Sequence, residues 1–256
     1  MTFYAVGDIH GHLTQLDRVL DLIEADRGAE ARVVFLGDYV DRGPDSRGVI
    51  ERFLQGLDAG RDWVFLKGNH DRMFERFLED GETSDAHILS GKLWLHERLG
   101  GPDTLGSYFD ADGLLASLGG GKMTDYGMEP APEAVLQALV AAAQEAIPQR
   151  HKDFLGQAKL YHEEDGYILV HAGIRPGVPL GMQDPEDLMW IREPFLSDTR
   201  SYGAMIVHGH TALDAPERTI NRINLDSGAG YGRPATVAVF EGGETFTLSP
   251  EGRVAL

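Results

Sequence analysis

Hydrophobic residues along this chain fall into two rhythms. Short runs rich in Val, Ile and aromatic residues, at 3–6, 32–36, 63–66, 167–170, 204–207, 222–225 and 235–240, are bounded by turn residues. Such runs predict strands, and the continuous apolar ones predict strands buried on both faces. Between the first three lie helical stripes: Leu13, Leu16, Leu20 and Ile23 share one face, and Val49, Ile50, Phe53, Leu54 and Leu57 share another. The order β-α-β-α-β predicts parallel strands with right-handed crossovers.

After Asp71 the rhythm changes. From about 72 to 164 the pattern is mainly helical, broken by the turn at Gly100, Gly101 and Pro102 and by Gly119, Gly120 and Gly121. An Ala/Leu-rich helix over 134–147 is stopped by Pro148. Strands then dominate to the end. No internal repeat and no Pro-, Ser- or Gly-rich linker divides the chain, so the expectation is one α/β domain over 1–256 with a mainly helical insertion over about 72–164.

Composition narrows the chemistry. An apolar content of 42% and a charged content of 25% suit a soluble globular protein. The formal net charge of −18 repels phosphate backbones and anionic lipid, which argues against nucleic acid and membrane as partners. The chain has no Cys, which removes disulfides, thiolate metal sites and thiol nucleophiles. The N-terminus runs into a strand-like segment without a basic n-region, and no apolar run reaches membrane-spanning length, so a cytoplasmic protein is expected.

The chemistry lies just beyond the strands: GDIH at 7–10, GDYVDRG at 37–43, GNHD at 68–71, HAGI at 171–174 and HGHT at 208–211. Each puts Asp, Asn or His at a strand's end, mostly beside Gly. In open α/β sheets ligands bind in the crevice at the carboxyl ends of the strands. Any one segment reads equally as a turn or a helix cap. Five of them sharing little but Asp, His, Asn and Arg point to one site, since independent turns would also draw on Ser, Thr and Pro. Carboxylates, imidazoles and an amide oxygen without sulfur suit Mn, Fe, Co or Zn. Asp8 and His10 stand at i, i+2 and face the same way in an extended segment. Two cations roughly 3.5–4 Å apart are a common device for displacement at phosphorus. Asp38 is the natural bridging carboxylate, and the guanidinium fork of Arg42 matches phosphate oxygens. Spacing alone lets both His208 and His210 bind.

These motifs, in this order, resemble the signature of the calcineurin-like metallophosphoesterases, and more narrowly the bacterial serine/threonine phosphatases of the phosphoprotein phosphatase family. The resemblance implies a two-sheet β-sandwich flanked by helices and two divalent cations, Mn²⁺ first, with Fe, Zn, Co or Ni as alternatives. It implies Asp8, His10 and Asp38 on one metal, and Asp38, Asn69, His171 and His210 on the other. His208 is left as a strand-end neighbour, and Ala212 stands where broader relatives carry a further His ligand. Arg42 and Arg192 would bind phosphate, the alternative for Arg192 being an ion pair with Glu193 or Asp187. His70, oriented by Asp41, would protonate the leaving group after direct attack of a metal-bound hydroxide. The implied activity is hydrolysis of a phosphoprotein or phosphopeptide, with phosphotyrosine left open.

The rival reading on the same scaffold is a dinucleoside polyphosphate hydrolase, whose sequences usually depart from GDYVDRG at the second Asp; here Asp41 is present. A non-catalytic binding module is the remaining class, opposed by the retention of every ligand position. Trp94, Tyr108, Phe109 and the acidic residues over 103–112 are expected to wall the site or to form the insertion's own small core.

Overall fold

The computed structural model describes residues 2–27 and 30–256. Its first sheet is built on three parallel strands, Thr2–Val6 (β1), Arg32–Phe35 (β2) and Trp63–Phe65 (β3), connected through helices Leu13–Arg27 (α1) and Ser46–Asp58 (α2). This is the expected β-α-β-α-β unit. Helix Asn69–Asp80 (α3) then begins inside GNHD, three residues before the helical pattern was expected to start.

Four helices come next: Gly101–Gly106 (α4), Ala111–Ser117 (α5), Glu133–Ala146 (α6) and Gln149–Gln157 (α7). The expected insertion end at 164 needs correction. Residues Tyr161–Glu164 form a strand (β4), antiparallel to Tyr167–Val170 (β5). The sequence YHEE has no apolar alternation because β4 is an edge strand with little to bury.

The second sheet continues past helix Pro185–Trp190 (α8) with Met205–His208 (β6), Glu217–Arg218 (β7) and Arg222–Asn224 (β8), in the order β4-β5-β6-β8-β7. Strands β5, β6 and β8 run parallel. The chain returns to the first sheet with Val237–Glu241 (β9), Glu244–Ser249 (β10) and Gly252–Ala255 (β11), giving the order β11-β10-β9-β1-β2-β3. Both terminal strands were missed in the sequence, although ETFTLS alternates as a half-buried strand should.

The two sheets pack face to face, as the sandwich expectation required. Phe3 and Ala5 of β1, Val34 of β2, and Ala238 and Phe240 of β9 meet Leu169, Val207 and Ile223 of the second sheet. The alternate residues Tyr4, Val6, Val33 and Phe35 turn the other way, into the helical layer with Leu16, Val49 and Phe53. Burial on both faces explains why these strands read as continuous apolar runs. A third cluster, with Ile168, Val170, Leu188 and Phe195, covers the outer face of the second sheet. Among the described residues no helix is long and apolar enough to cross a membrane.

This layering leaves three parallel strand ends per sheet on one side of the sandwich, and every predicted motif sits at one of them. Phe240 stacks on Phe3 at 4.6 Å between ring centroids and meets Tyr167 edge-on across the sandwich. Phe240→Ala should therefore cost about 3–5 kcal/mol, read as a lower urea midpoint with an unchanged slope. A loss below about 1 kcal/mol would show that the sheets close over the gap.

Candidate metal centre

The segment after β2 sets the geometry. Leu36 O accepts from His171 Nδ1 at 2.8 Å, and Val40 O accepts from His10 Nδ1 at 3.0 Å. A carbonyl can only accept, so each ring carries its proton on Nδ1 and turns the Nε2 lone pair toward the cleft. Asp38 lies between them, with Oδ2 3.5 Å from His10 Nε2 and Oδ1 3.5 Å from His171 Nε2. Asp8 Oδ2 stands 3.8 Å from His10 Nε2, and Asn69 Oδ1 3.0 Å from His171 Nε2. The sixth expected ligand, His210, anchors its backbone N–H on Asp8, while its buried Nε2 has no hydrogen-bond partner.

Asp38, His171 and His210 bring one donor atom each to within 4.8 Å of one another, and all three are buried. Converging lone pairs, an orphaned buried imidazole nitrogen and a shared carboxylate fit a pair of divalent cations with Asp38 between them. The electrostatics agree. Burial, followed by repulsion from Asp226 and Asp38, pushes the Asp8 carboxyl well up. Burial, followed by Arg42 at His10 and by His171 at His210, pushes both imidazoles well down. Crowded carboxylates beside neutral imidazoles favour positive charge in the cleft.

The backbone supports this at some strain. Among the described residues six non-Gly residues have positive φ, and five of them are His10, Asp38, Asp41, Arg42 and His210. Left-handed backbone in such residues is uncommon and clusters at functional sites. Gly68 is required where the chain passes Asp38, since a Cβ there would stand 2.1 Å from Oδ1. At the start of α3, Asp71 accepts from the backbone N–H groups of Gly68, Asp38 and Tyr39 at 2.9–3.0 Å. The N–H of His70 in the same turn donates to Asp38 Oδ1 at 2.9 Å. Sequence reading assigned Asp71 no role, although it closes GNHD.

Beside the metal ligands, His70 Nδ1 donates to Asp41 Oδ2 at 2.7 Å. Burial and the nearby Arg42 charge push His70 down to about 3, so it stands neutral. Burial pushes Asp41 up to about 7, against hydrogen bonds from Thr104 and Trp94 and the charge of Arg42. The Arg42 guanidinium spans the site, 2.9 Å from His10 Nε2 and 2.9 Å from His70 Nε2. It must leave these nitrogens for either to take up its expected role. Tyr231 packs against its other side, 4.9 Å from ring centroid to guanidinium carbon.

Arg192 is not taken up by the ion pairs weighed for it. Asp187 pairs with Arg175, and Glu193 accepts from Ser197. Arg192 instead lines a cavity of about 520 Å³ together with Asp38, Arg42, Asn69, His70 and His210. A hollow of about 570 Å³ between α3 and α7 is larger but is lined by no His or Arg.

His208 is buried with Nδ1 on Gly209 O and no partner for Nε2, so it is only half satisfied; its ring meets Phe195 edge-on. The expected aromatic wall is not there. Trp94 and Tyr108 are buried in the helical-layer core with Phe109 packed against it, while His87, Ile88, Leu89, Ser90 and Leu99 supply the insertion's side of the cavity. Asp226 was missed. It comes after β8 with Gly228 two residues on, obeys the rule used for the other strand ends, and faces Asp8 from a buried position. Asp85, His87 and Glu186 also cluster, but Arg76 already neutralises Asp85 at 3.0 Å.

Saturating Mn²⁺ should raise the thermal midpoint by about 5–10 °C, since a ligand at 100 times its Kd adds about 2.7 kcal/mol. Asp38→Asn should remove the increment and His210→Ala most of it, whereas His208→Ala should keep it. Calorimetry with and without chelator reads all three, and equal losses from the two histidines would overturn their division into ligand and neighbour.

Comparison with known proteins identifies the family. The family model for calcineurin-like phosphoesterases matches residues 1–214. The bis(5′-nucleosyl)-tetraphosphatase PrpE (asymmetrical) of Bacillus mycoides is 25% identical over 260 residues, covering 92% of this chain and 89% of its own. The symmetrical bis(5′-nucleosyl)-tetraphosphatase of Methylococcus capsulatus is 30% identical over 179 residues, covering 69% of this chain and 44% of its own. Among solved structures, a cold-active protein-tyrosine phosphatase from a Shewanella species superposes with a TM-score of 0.58 at 16% identity, covering the whole of this chain and 80% of its own, a likeness of fold alone. The match across most of the chain, with the motif residues gathered at one edge of a two-sheet sandwich, makes this protein a member of the calcineurin-like metallophosphoesterases.

Proposed function

We propose that the protein is a metal-dependent hydrolase of dinucleoside polyphosphates, the alternative weighed from sequence rather than the protein phosphatase preferred there. The observation that carries this reading is the distribution of arginines. Arg42 and Arg192 flank the ligand cluster, and Arg233 lines the same cavity. One phosphoryl group needs no more than the first two, whereas a phosphate chain can use the third. Arg233 pairs with Asp214, whose side chain is 96% exposed, and so exposed a pair exchanges readily for a phosphate oxygen. The half-exposed His87, stacked on the buried Trp190, and the largely exposed Tyr231 offer flat faces for a base. The names of the relatives over most of the chain support the same class.

Two divalent cations held by Asp8, His10, Asp38, Asn69, His171 and His210 would supply the charge that lowers the pKa of water and neutralises phosphoryl oxygens. The remaining roles fall to this chain's own side chains. Arg42 and Arg192 bind non-bridging oxygens and orient phosphorus for in-line attack. When Arg42 turns to phosphate it releases His70 Nε2, and the incoming negative charge raises that nitrogen's proton affinity. His70 then holds a proton for the departing oxygen while Asp41 keeps its Nδ1–H in place.

The same dyad favours a second reading. A proton donor matters most for a poor leaving group, and a Ser or Thr alkoxide is poorer than a nucleoside phosphate. Hydrolysis of phosphoprotein is therefore the competing arm of the test. With Mn²⁺ present, phosphate release or product nucleotides should be compared for diadenosine tetraphosphate, a phosphoserine/phosphothreonine peptide and a phosphotyrosine peptide. The dinucleotide should lead in kcat/KM by roughly tenfold or more, and Arg233→Ala should cut that lead about tenfold without slowing a generic aryl phosphate. A peptide in the lead would overturn the substrate assignment.

A further inference from the structure

We infer that Trp94 and Thr104, both from the helical insertion, are positioning residues for proton transfer by His70. Trp94 Nε1 donates to Asp41 Oδ2 at 2.8 Å, the same oxygen that accepts His70 Nδ1–H at 2.7 Å. Thr104 Oγ1 donates to Asp41 Oδ1 at 2.6 Å and accepts the backbone N–H of Asp41 at 2.8 Å. The carboxylate thus receives a donor on each oxygen from the insertion, and its peptide is gripped by the same hydroxyl. Ser46 Oγ at 3.1 Å from Thr104 Oγ1 completes the set. Asp41, Trp94 and Thr104 are fully buried, so the carboxylate depends on these donors and not on bulk water.

Packing alone does not demand this arrangement. Trp94 stacks on Phe74 and meets Phe77 at a tilt, apolar contacts that make no use of the indole N–H. Trp190, also buried, leaves its Nε1 without a partner. Insertion backbone presses on the same point: a Cβ on Gly100 would stand 2.0 Å from the amide nitrogen of Arg42. Asp41 has φ 71°, so the peptide that Thr104 holds is one the chain would not adopt unaided. With either donor gone, the carboxylate can turn about its side chain, and the imidazole it orients turns with it. The insertion therefore reaches the reaction through the acid dyad and not through a wall of aromatics.

The inference rests on the phosphoesterase reading, and leaving-group dependence separates the two. The test uses the Mn²⁺-loaded full chain, a series of aryl phosphates, and the variants Trp94→Phe, Thr104→Val and Thr104→Ser. For phenyl phosphate, whose departing oxygen needs a proton, kcat should fall about 10–100-fold in W94F and T104V. For 2,4-dinitrophenyl phosphate it should change less than about twofold, and KM should stay within about twofold for both substrates. T104S should restore the wild-type pattern. The Nδ1–H tautomer of His70, followed by long-range ¹H–¹⁵N correlation on protein loaded with diamagnetic Zn²⁺ and inorganic phosphate, which draws Arg42 off Nε2, should be lost in W94F and T104V and kept in T104S. An equal fall for every leaving group with an unchanged tautomer would assign the two residues a structural role and overturn the inference. If W94F fails to fold, the isosteric T104V and its T104S counterpart decide the matter. Wild-type protein that cleaves no aryl phosphate would sink the phosphoesterase reading, while the tautomer measurement would still decide the positioning claim.

Discussion

One buried carboxylate, Asp71, ties together the two loops on which the centre depends. Its oxygens accept N–H groups from Gly68, after β3, and from Asp38 and Tyr39, after β2. Each of these loops would otherwise bury unsatisfied donors. Burial and the charge of Asp38 push the Asp71 carboxyl up, and the three donors oppose that shift. Once the two loops are locked, Leu36 O and Val40 O stand where they set the tautomers of His171 and His10, and Asp38 falls between the two rings. The metal geometry is therefore largely a consequence of backbone held by a residue that is not itself a candidate ligand.

The rest of the cleft is shaped by charge crowding. Asp8, Asp38 and Asp226 repel one another in a buried setting, and His10, His70 and His210 are kept neutral by burial. Without positive charge such a cluster opposes folding, and the left-handed residues around it add strain. The two sheets must supply the surplus that holds it, through an interior of Phe3, Val34, Val207, Phe240 and their neighbours. Arg42 serves the same balance at short range, placing its guanidinium between His10 and His70 against Tyr231. Stability made by the sandwich is spent at its edge.

Five of the six strand-end motifs were legible because each is local: a run of apolar residues, a turn, and a short side chain with lone pairs. The sixth, at Asp226, follows a run at 222–225 that did read as a strand, and was passed over because Asp226, Ser227 and Gly228 look like an ordinary turn. The short polar edge strands β4 and β7 escaped because edges bury too little to leave an apolar pattern. The start of α3 was placed late because GNHD reads as a turn, whereas Gly68 with Asp71 forms its N-terminal cap and puts Asn69 and His70 in its first turn.

By itself, the sequence determined which residues the centre could use and the family to which it belongs, because ligand identity and its spacing from a strand end are properties of short segments. Tertiary structure alone decided how they meet. Trp94 and Thr104 reach Asp41 across 53 and 63 residues, and His171 takes its tautomer from a carbonyl 135 residues away. It also decided that the insertion's aromatics are buried while His87, Leu89 and Leu99 face the cavity. No local pattern encodes such pairings. They exist only once two sheets pack and bring distant loops within the few ångströms at which a hydrogen bond or a shared cation can act.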